Sequence, residues 1–357
     1  MFIKDFVLFN PKGKKPTDYV NYIDTSSVED GKLLGIQYLT DNIPSRAQRV
    51  IEEGDILVSS VRPILKHNYY VSQTIENGIA STGFIQIRAD RSKVIPQYLY
   101  YFLTEENKVR MYQTIAETSQ STFPSFNKDV IENMAFPDVS LAEQQHIVDI
   151  LGTLDDKIEN LEEVNSKIQS YCIAKYRLLF SNVERIPLSN IAAITMGQSP
   201  AGNTLNEKDG VIFYQGRTDF GFRYPTVRLF TTDPKRMANT GDILLSVRAP
   251  VGDVNIAAED CCIGRGIAAI SSEYNSFVYY SILNQKSDFD IYNNSGTIFG
   301  SINRDALSAF KIPAANISLI ETFESMASDV DKSIHNNTKE IDKLRTLKQT
   351  YLQKFFG

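Results

Sequence analysis

The sequence has few cysteines and no long apolar run. Three of its 357 residues are cysteine, and the adjacent pair Cys261 and Cys262 has no second pair at metal-ligand spacing. These features exclude a disulfide framework and a cysteine and histidine metal site. No stretch approaches the ~18 to 20 consecutive apolar residues of a membrane span, and the start, MFIKDFVLFNPKGKK, lacks the apolar core of a signal peptide. We therefore expect a cytoplasmic protein with no membrane partner and no metal.

The sequence also lacks an excess of positive charge. It has 37 Lys and Arg against 43 Asp and Glu, which gives a net charge of −6 and a pI near 5.3. Proteins that bind nucleic acid usually carry a basic patch. A role on DNA would therefore need local basic loops, or partner chains that neutralise much of the phosphate charge. The composition, 42% apolar and 22% charged, is that of a folded chain and excludes disorder.

Signatures of catalysis are missing as well. There is no Gly-x-Gly-x-x-Gly for a dinucleotide or methyl donor, no phosphate loop ending in Gly-Lys-Ser or Gly-Lys-Thr, and no nucleophile elbow. We expect no catalysis by this chain alone.

What the sequence does contain is an internal repeat. GDILVS at 54–59 recurs as GDILLS at 241–246, and each copy is followed by Val-Arg. Later blocks recur in the same order, at a spacing that settles at 176 residues between Asp155 and Asp331. Such an ordered series indicates a duplicated chain. In each copy, short apolar runs between Gly, Pro and Asn predict strands, and a long helical pattern follows them.

The duplication divides the chain into four segments. We predict recognition-type domains at 1–138 and 182–315 and long helices at 139–181 and 316–357. In both helices, apolar residues alternate at spacings of three and four, which is typical of a coiled-coil seam. The predicted seam consists of Leu151, Leu154, Ile158, Leu161, Ile168, Val330, Ile334, Ile341, Leu344 and Tyr351. Polar residues at seam positions, Asn165, Lys175, Asn337 and Lys348, can fix register and partner choice.

These segments predict an α+β fold. Two β-rich globular domains are joined by two long antiparallel coiled-coil helices, with an internal pseudo-twofold repeat. A helix of about 40 residues spans roughly 60 Å at ~1.5 Å per residue. Two heads related by a twofold axis match the geometry of B-DNA, whose turn is ~34 Å, and suit two half-sites separated by unread bases.

Several stretches of the second half resemble the specificity subunit of Type I restriction-modification systems. They are MGQSP at 196–200, FYQGRTDF at 213–220, GDILLSVRAPVGD at 241–253, IGRG at 263–266 and GTIFGSI at 296–302. The first half departs from this pattern. It opens without a GQSP-like stretch, and it has SSVRP at 59–63 and STFP at 121–124 in place of SVRAPVGD and GTIF. The first domain is therefore expected to read a different half-site.

The resemblance implies a function for each part of the chain. Each domain would read one half of a bipartite double-stranded DNA target, and the helices would set the spacer and dock methyltransferase subunits, two in number. S-adenosylmethionine would bind those subunits, and ATP with Mg²⁺ would bind separate restriction and translocase subunits. The chain itself would hold no cofactor.

Candidate DNA contacts come from arginines at strand ends and from polar loops. Arg248 ends a predicted strand and Arg62 takes the same place in the first copy, so both suit a backbone contact. The segment around Gln215 and its counterpart near Arg46 have the mixed polar character of base-reading loops. The predicted set is Arg46, Arg49, Arg62, Gln198, Ser199, Tyr214, Gln215, Arg217, Arg223, Arg248, Arg265 and Arg304.

Purely structural explanations compete with several of these assignments. Gly-Asp is turn chemistry, Arg248 could form a salt bridge, and the glycines of IGRG could serve a β-bulge. Asn303 and Arg304 could simply cap a helix rather than hold a phosphate. Two other functions also stay open, namely a coiled-coil adaptor that binds only proteins and an enzyme whose motif is not visible in the sequence.

Overall fold

The computed structural model describes residues 1–118, 124–293 and 300–357. Their contacts group the chain into two compact units, one made of Met1–Glu159 with Asp342–Gly357 and the other of Asn160–Ile341. Parts of two predicted motifs, 121–123 and 296–299, lie outside the described residues. Over the described ranges, no helix combines the length and apolar character that a membrane span requires.

The first unit opens with short strands that form two four-stranded sheets and one two-stranded sheet. The strands are β1 (Val7–Phe9), β2 (Val20–Ile23), β3 (Val28–Glu29), β4 (Lys32–Leu33), β5 (Gln37–Leu39), β6 (Ala47–Val50), β7 (Ile56–Ser59), β8 (Tyr69–Tyr70), β9 (Gly78–Ser81) and β10 (Phe84–Ala89). One sheet has the order β1-β10-β7-β8, a second has the order β5-β2-β9-β6, and β3 pairs with β4. All four residues of β7 are buried, which explains why its sequence, ILVS, is apolar without alternation.

Helices follow these strands. They are α1 (Pro96–Thr104), α2 (Glu106–Glu117), α3 (Asp129–Glu132) and the 40-residue α4 (Leu141–Phe180). Helix α4 begins in the first unit and its residues from Asn160 onward belong to the second.

The second unit repeats this order of elements. Its strands are β11 (Arg185–Pro187), β12 (Ala193–Met196), β13 (Leu205–Asn206), β14 (Val211–Tyr214), β15 (Leu229–Thr231), β16 (Met237–Ala238), β17 (Ile243–Ser246), β18 (Val254–Ile256), β19 (Cys261–Ile263), β20 (Ile267–Ser271) and β21 (Lys311–Pro313). Its helices are α5 (Asn275–Asn284), α6 (Asp290–Asn293), α7 (Arg304–Ser308) and the 40-residue α8 (Ile317–Phe356), whose residues from Asp342 onward belong to the first unit.

The two units have the same sheet topology. The order β12-β20-β17-β18 reproduces β1-β10-β7-β8, and the order β15-β14-β19-β16 reproduces β5-β2-β9-β6, with β13 added at the edge. The second sheet of each unit contains a parallel pair at the same place, β2 with β9 and β14 with β19. Apart from β13 and the two-stranded pairs β3-β4 and β11-β21, the duplication read in the sequence is therefore present in the strand order of the fold.

The Gly-Asp dipeptide of each copy forms the turn before the central strand. Gly54 and Gly241 both have φ of +90°, a conformation that glycine adopts without strain. The following carboxylate closes the turn, because Asp55 accepts from the Glu52 N–H and Asp242 from the Asn239 N–H, each at 2.8 Å. The structural explanation of this motif is confirmed.

The long helices pack against each other within each unit. In the second unit, Asn165 of α4 lies opposite Asn337 of α8 while Tyr176 lies against Phe323, so the helices run antiparallel. In the first unit, Lys348 of α8 pairs with Asp155 of α4, and Phe356 of α8 also packs against Tyr98 of α1 with ring centroids 5.2 Å apart. All ten predicted seam residues are buried or half-buried.

Polar residues in the seam are paired. The Asn337 side-chain amide donates to Asn165 Oδ1 at 2.8 Å, and Lys348 forms an ion pair with Asp155. Asn165 is 3% exposed, so its amide would lack a partner if Asn337 were removed. This arrangement matches the predicted role of seam asparagines in fixing register.

We expect Asn165→Leu alone to lower the free energy of unfolding by about 1–3 kcal/mol, because it leaves the Asn337 amide without its partner. The double variant Asn165→Leu/Asn337→Leu should recover this loss or exceed wild-type stability, since neither polar group then stays buried. Urea unfolding of both variants measures the difference. Equal destabilisation by the single and double variants would contradict a coupled pair.

Candidate nucleic-acid interface

Three loops of the second unit lie side by side at the ends of their strands. The Gly197 and Gln198 N–H groups donate to the carbonyls of Ile267 and Ile263, each at 2.9 Å. The Gly264 N–H donates to the Tyr214 carbonyl at 2.8 Å. Backbone hydrogen bonds therefore join the loops that follow β12, β14 and β19.

The end of β17 joins the same group. The Val247 N–H donates to the Gly266 carbonyl and the Ala249 N–H donates to the Gly300 carbonyl, both at 2.9 Å. These bonds place Arg248 beside the IGRG stretch. We call the segments 197–200, 215–217, 247–249 and 264–266 the second loop cluster.

Glycines allow the close approach of these backbones. A Cβ on Gly197 would lie 2.2 Å from the Gly264 carbonyl oxygen, and a Cβ on Gly266 would lie 2.7 Å from the Gln215 carbonyl oxygen. Both contacts are with backbone atoms, which cannot move aside as a flexible side chain can. The glycines of MGQSP and IGRG are thus required for packing between loops, and this packing in turn sets where their polar neighbours emerge.

The second loop cluster displays amide and guanidinium groups. Gln198, Gln215, Arg217, Arg248 and Arg265 are exposed, and Ser199 is half-buried and accepts from the Arg265 N–H at 3.3 Å. Arginine and glutamine are the side chains that reach guanine and adenine edges bidentately. The structure therefore brings together six of the residues predicted from sequence.

Arg217 is held in place by an acidic partner. Its Nε donates to Asp253 Oδ2 at 2.6 Å, while half of its side chain stays exposed. Burial alone would raise the pKa of Asp253, but hydrogen bonds from Lys286 and Arg217 outweigh burial and keep this pKa below its usual value. Asp253 is therefore a charged carboxylate that orients the guanidinium.

Two sequence predictions are corrected here. Tyr214 is 2% exposed and belongs to the apolar cluster around Ile263, where burial raises the pKa of its hydroxyl. The Arg223 side chain is fully buried and paired with Asp331. Neither side chain is available to DNA, because both point into the unit.

The prediction for Arg304 remains a prediction. Arg304 is exposed at the start of α7, a helix of five residues. The helix start is capped by the Asn303 side chain, which accepts from the Ala306 N–H at 2.9 Å. Capping thus accounts for Asn303, as the structural alternative proposed.

The first unit has a matching set of loops. The Thr82 N–H donates to the Arg46 carbonyl at 2.8 Å, and the Ser60 N–H donates to the Gly83 carbonyl at 3.0 Å. Arg46 is exposed and pairs with Asp24 at 3.1 Å. The predicted equivalence of Arg62 with Arg248 is wrong by one residue, because the bridge of Val61 to Ser125 matches that of Arg248 to Ser301, so the exposed Arg62 takes the place of Ala249. We call the segments 10–16, 46–49, 60–62 and 81–83 the first loop cluster.

Arg49 differs from its neighbours in this cluster. It is half-buried on β6, and burial lowers the pKa of its guanidinium. Its Nε is buried and makes no hydrogen bond with the described part of the chain. Arg49 is thus less available for a DNA contact than Arg46 or Arg62.

Sequence reasoning missed three lysines in the first loop cluster. Lys12, Lys14 and Lys15 are exposed in the loop after β1, the strand equivalent to β12, so they take the place of the GQSP loop. The loop begins at Asn10, whose side chain accepts from the Gln86 N–H at 3.0 Å. Three lysines within four residues are a charge pattern that sequence alone could have revealed.

Comparison with known proteins identifies the family to which this duplicated fold belongs. A family model described as the Type I restriction modification DNA specificity domain matches residues 1–170 and 181–342, that is, both copies of the repeat. The chain belongs to this family. The resemblance noted in the sequence is confirmed, and DNA sequence recognition is implied by the family.

Individual specificity subunits show the same relationship. The chain is 28% identical over 363 residues to the type I restriction enzyme MjaX specificity subunit of Methanocaldococcus jannaschii, which covers 94% of this chain and 84% of that protein. It is 28% identical over 168 residues to the HindI specificity subunit of Haemophilus influenzae, covering 47% and 37% of the two chains. The S subunit from M. genitalium has the same fold, with a TM-score of 0.60 at 16% identity over 100% of this chain and 95% of that one.

We expect Gly197→Ala to lower the free energy of unfolding by about 1–3 kcal/mol, because the added methyl group collides with the Gly264 carbonyl. Gly202→Ala is the matched control, since a Cβ there would meet no atom within 4 Å. Guanidinium unfolding of both variants measures the effect. Equal stability of the two variants would show that the loops are not closely packed.

Proposed function

We propose that this chain is the non-catalytic specificity subunit of a Type I restriction-modification complex and that each of its domains reads one half of a bipartite duplex DNA target. The observation that supports this most directly is the pair of loop clusters. Both stand at equivalent strand ends of the duplicated fold, and each displays exposed arginine, lysine or glutamine side chains. Exposed loops at strand ends are where recognition residues can vary without disturbing the core.

Different side chains on the two clusters support two different half-sites. Where the second cluster has Gln198 and Arg265, the first has Lys12 to Lys15 and Thr82. Both clusters carry an arginine just after the central strand, Arg62 and Arg248, although the backbone bonds place the two arginines one residue apart in register. We infer that these two arginines contact phosphates, which are alike at both half-sites, and that the other polar residues of the clusters contact bases.

The helices supply the spacer in this proposal. Helices α4 and α8 have 40 residues each, and the Asn165–Asn337 pair fixes their register within the second unit. In this proposal the length and register of the two helices set the gap of the bipartite target.

Helix α4 also supplies a surface for protein partners. Val164, Tyr171 and Leu178 are 38%, 50% and 75% exposed and stand seven residues apart, so they form one apolar stripe that we call the α4 stripe. Apolar residues at this spacing are typical of helix-to-helix docking. We propose that the stripe docks a methyltransferase subunit, and that the duplicated chain recruits two such subunits.

In this proposal the catalytic steps take place on the partner subunits. We propose that S-adenosylmethionine binds the methyltransferase subunits, and that ATP and Mg²⁺ bind the restriction and translocase subunits. A net charge of −6 supports this division, since the partners would add the positive charge that duplex DNA requires. The same charge is the observation that favours the alternative, an adaptor that binds only proteins. We propose the cytoplasm as the site of action.

The direct test uses the chain in complex with its methyltransferase subunits. Methylome sequencing of the host, with and without the gene, would give the target and its gap. Electrophoretic shifts with that duplex should show steep salt dependence and a preference over duplexes altered in either half. Sequence-independent or absent binding by the complex would favour the adaptor.

In this assay, we expect Arg217→Ala to reduce discrimination at one half-site by about tenfold, the order of a single mismatched base pair. Arg248→Ala should lower affinity for all duplexes and reduce the salt slope by about one. Arg185→Ala is the matched control, because Arg185 is an equally exposed arginine that pairs with Asp288 outside the second loop cluster. If all three variants bind alike, the residue assignments are wrong.

We expect Tyr171→Glu/Leu178→Glu to reduce copurification of the methyltransferase subunit at least about tenfold, because charge replaces the apolar stripe. Circular dichroism should show an unchanged fold, since both side chains are exposed. Glu163→Gln/Lys167→Gln, which removes an exposed ion pair of the same helix, is the control. Undiminished assembly of the stripe variant would exclude docking at this stripe.

A further inference from the structure

A fully buried arginine connects a recognition loop of the second unit to three helices. The Arg223 Nη1 lies 2.8 Å from Asp331 Oδ1 on α8, and Nη2 donates to Gln169 Oε1 on α4 at 3.0 Å and to the Tyr280 hydroxyl on α5 at 2.9 Å. Its guanidinium stacks over Tyr279 with 4.2 Å to the ring centroid. One side chain therefore contacts α4, α5 and α8 at once.

The backbone around Arg223 is held on its other side by hydrogen bonds to strand β18. The Arg223 carbonyl accepts from the Ile256 N–H at 2.8 Å, and Gly221 exchanges two hydrogen bonds of 3.0 Å with the Asn255 side chain. Exposed residues stand on both sides of this anchor, among them Arg217, Phe222 and Arg228. The anchor therefore lies in the middle of the segment 215–228, which joins the second loop cluster.

The first unit pairs the equivalent aspartate with a different cation. Tyr101 donates to Asp155 Oδ2 at 2.8 Å, as Tyr280 does to Asp331 at 3.3 Å, and the two aspartates are related by the 176-residue repeat. The cation beside Asp155 is Lys348 on helix α8, not an arginine of the recognition domain. The residue 176 positions before Lys348 is Cys172, a small and fully buried residue beside Tyr280.

The two units together distinguish two roles that a cation beside the aspartate can have, namely neutralising the carboxylate and holding a loop in place. The first unit shows that a lysine on a long helix is enough to pair with the aspartate. Burying an arginine in addition costs solvation energy, so stability alone does not explain why the second unit takes its cation from a loop. A guanidinium, by contrast, fixes direction through several planar hydrogen bonds.

We propose that Arg223 is a positioning residue for sequence discrimination, which ties the segment 215–228 to helices α4, α5 and α8 so that its exposed side chains meet the DNA in a fixed orientation. This inference rests on the proposed DNA-reading function. It predicts that moving the cation from the loop to the helix preserves stability and loses discrimination.

The test compares Arg223→Met, Arg223→Lys and the double variant Cys172→Lys/Arg223→Met in the full complex with methyltransferase subunits. The double variant copies the arrangement of the first unit. We measure the melting temperature and the affinities for the target duplex and for a duplex altered in the half-site that the second domain reads. Arg223→Lys should keep most discrimination, whereas the double variant should lose about tenfold at equal melting temperature, the order of one base-pair contact.

Each outcome decides a different point. Loss of discrimination in the stable double variant supports the inference, and it does so even if Arg223→Met alone does not fold. If the double variant recovers both stability and discrimination, the inference is overturned, because Arg223 would then be only a source of charge. A wild-type complex that prefers neither half-site would overturn the proposed function and this inference with it.

Lys348→Met is the matched control from the first unit. It removes the cation beside Asp155 without touching a recognition loop. It should lower the melting temperature and leave discrimination at both half-sites unchanged. Loss of discrimination in Lys348→Met would overturn the distinction between a cation on a helix and one on a loop.

Discussion

The rest of the structure depends on the packing of aromatic side chains where two distant parts of the chain meet inside each unit. In the second unit, Phe180 at the end of α4 packs edge to face on Phe277 of α5 and on Phe323 near the start of α8. In the first unit, Phe356 at the end of α8 packs in the same way on Tyr98 of α1. Each such ring stabilises the fold by roughly 1.5–3 kcal/mol through burial. Neither unit has a closed core until both helices contribute to it.

The duplicated scaffold separates what must be constant from what can differ. Strand order, the Gly-Asp turn before the central strand and the tyrosine to aspartate hydrogen bond occur in both units. The side chains at the strand ends differ, and so does the source of the cation beside the aspartate. Because the exposed side chains of the loops lie outside the core, they can differ between the two copies on the same frame.

The sequence predicted the parts of the structure that follow a period or a repeat. The seam from Leu151 to Tyr351 was evident from its spacing, and the matching topology of the two units was evident from recurring blocks such as GDILVS and GDILLS. The direction of side chains in an aperiodic loop was not predictable. Arg217 and Arg223 stand six residues apart in similar surroundings, yet one is half exposed and the other is buried. That difference depends on Asp253 and Asp331, which are distant in sequence and become neighbours only in the folded chain.

The first unit is formed by two segments that are distant in sequence, and this affects the order in which the protein folds during synthesis. Residues Asp342–Gly357 belong to that unit, whereas the second unit is complete within Asn160–Ile341. A ribosome delivers the amino-terminal domain first, but Phe356 can reach Tyr98 only after the whole second unit has been synthesised. The unit whose synthesis begins first therefore completes its core after the residues of the second unit have been made, and its apolar surface stays incomplete until the last turns of α8 follow.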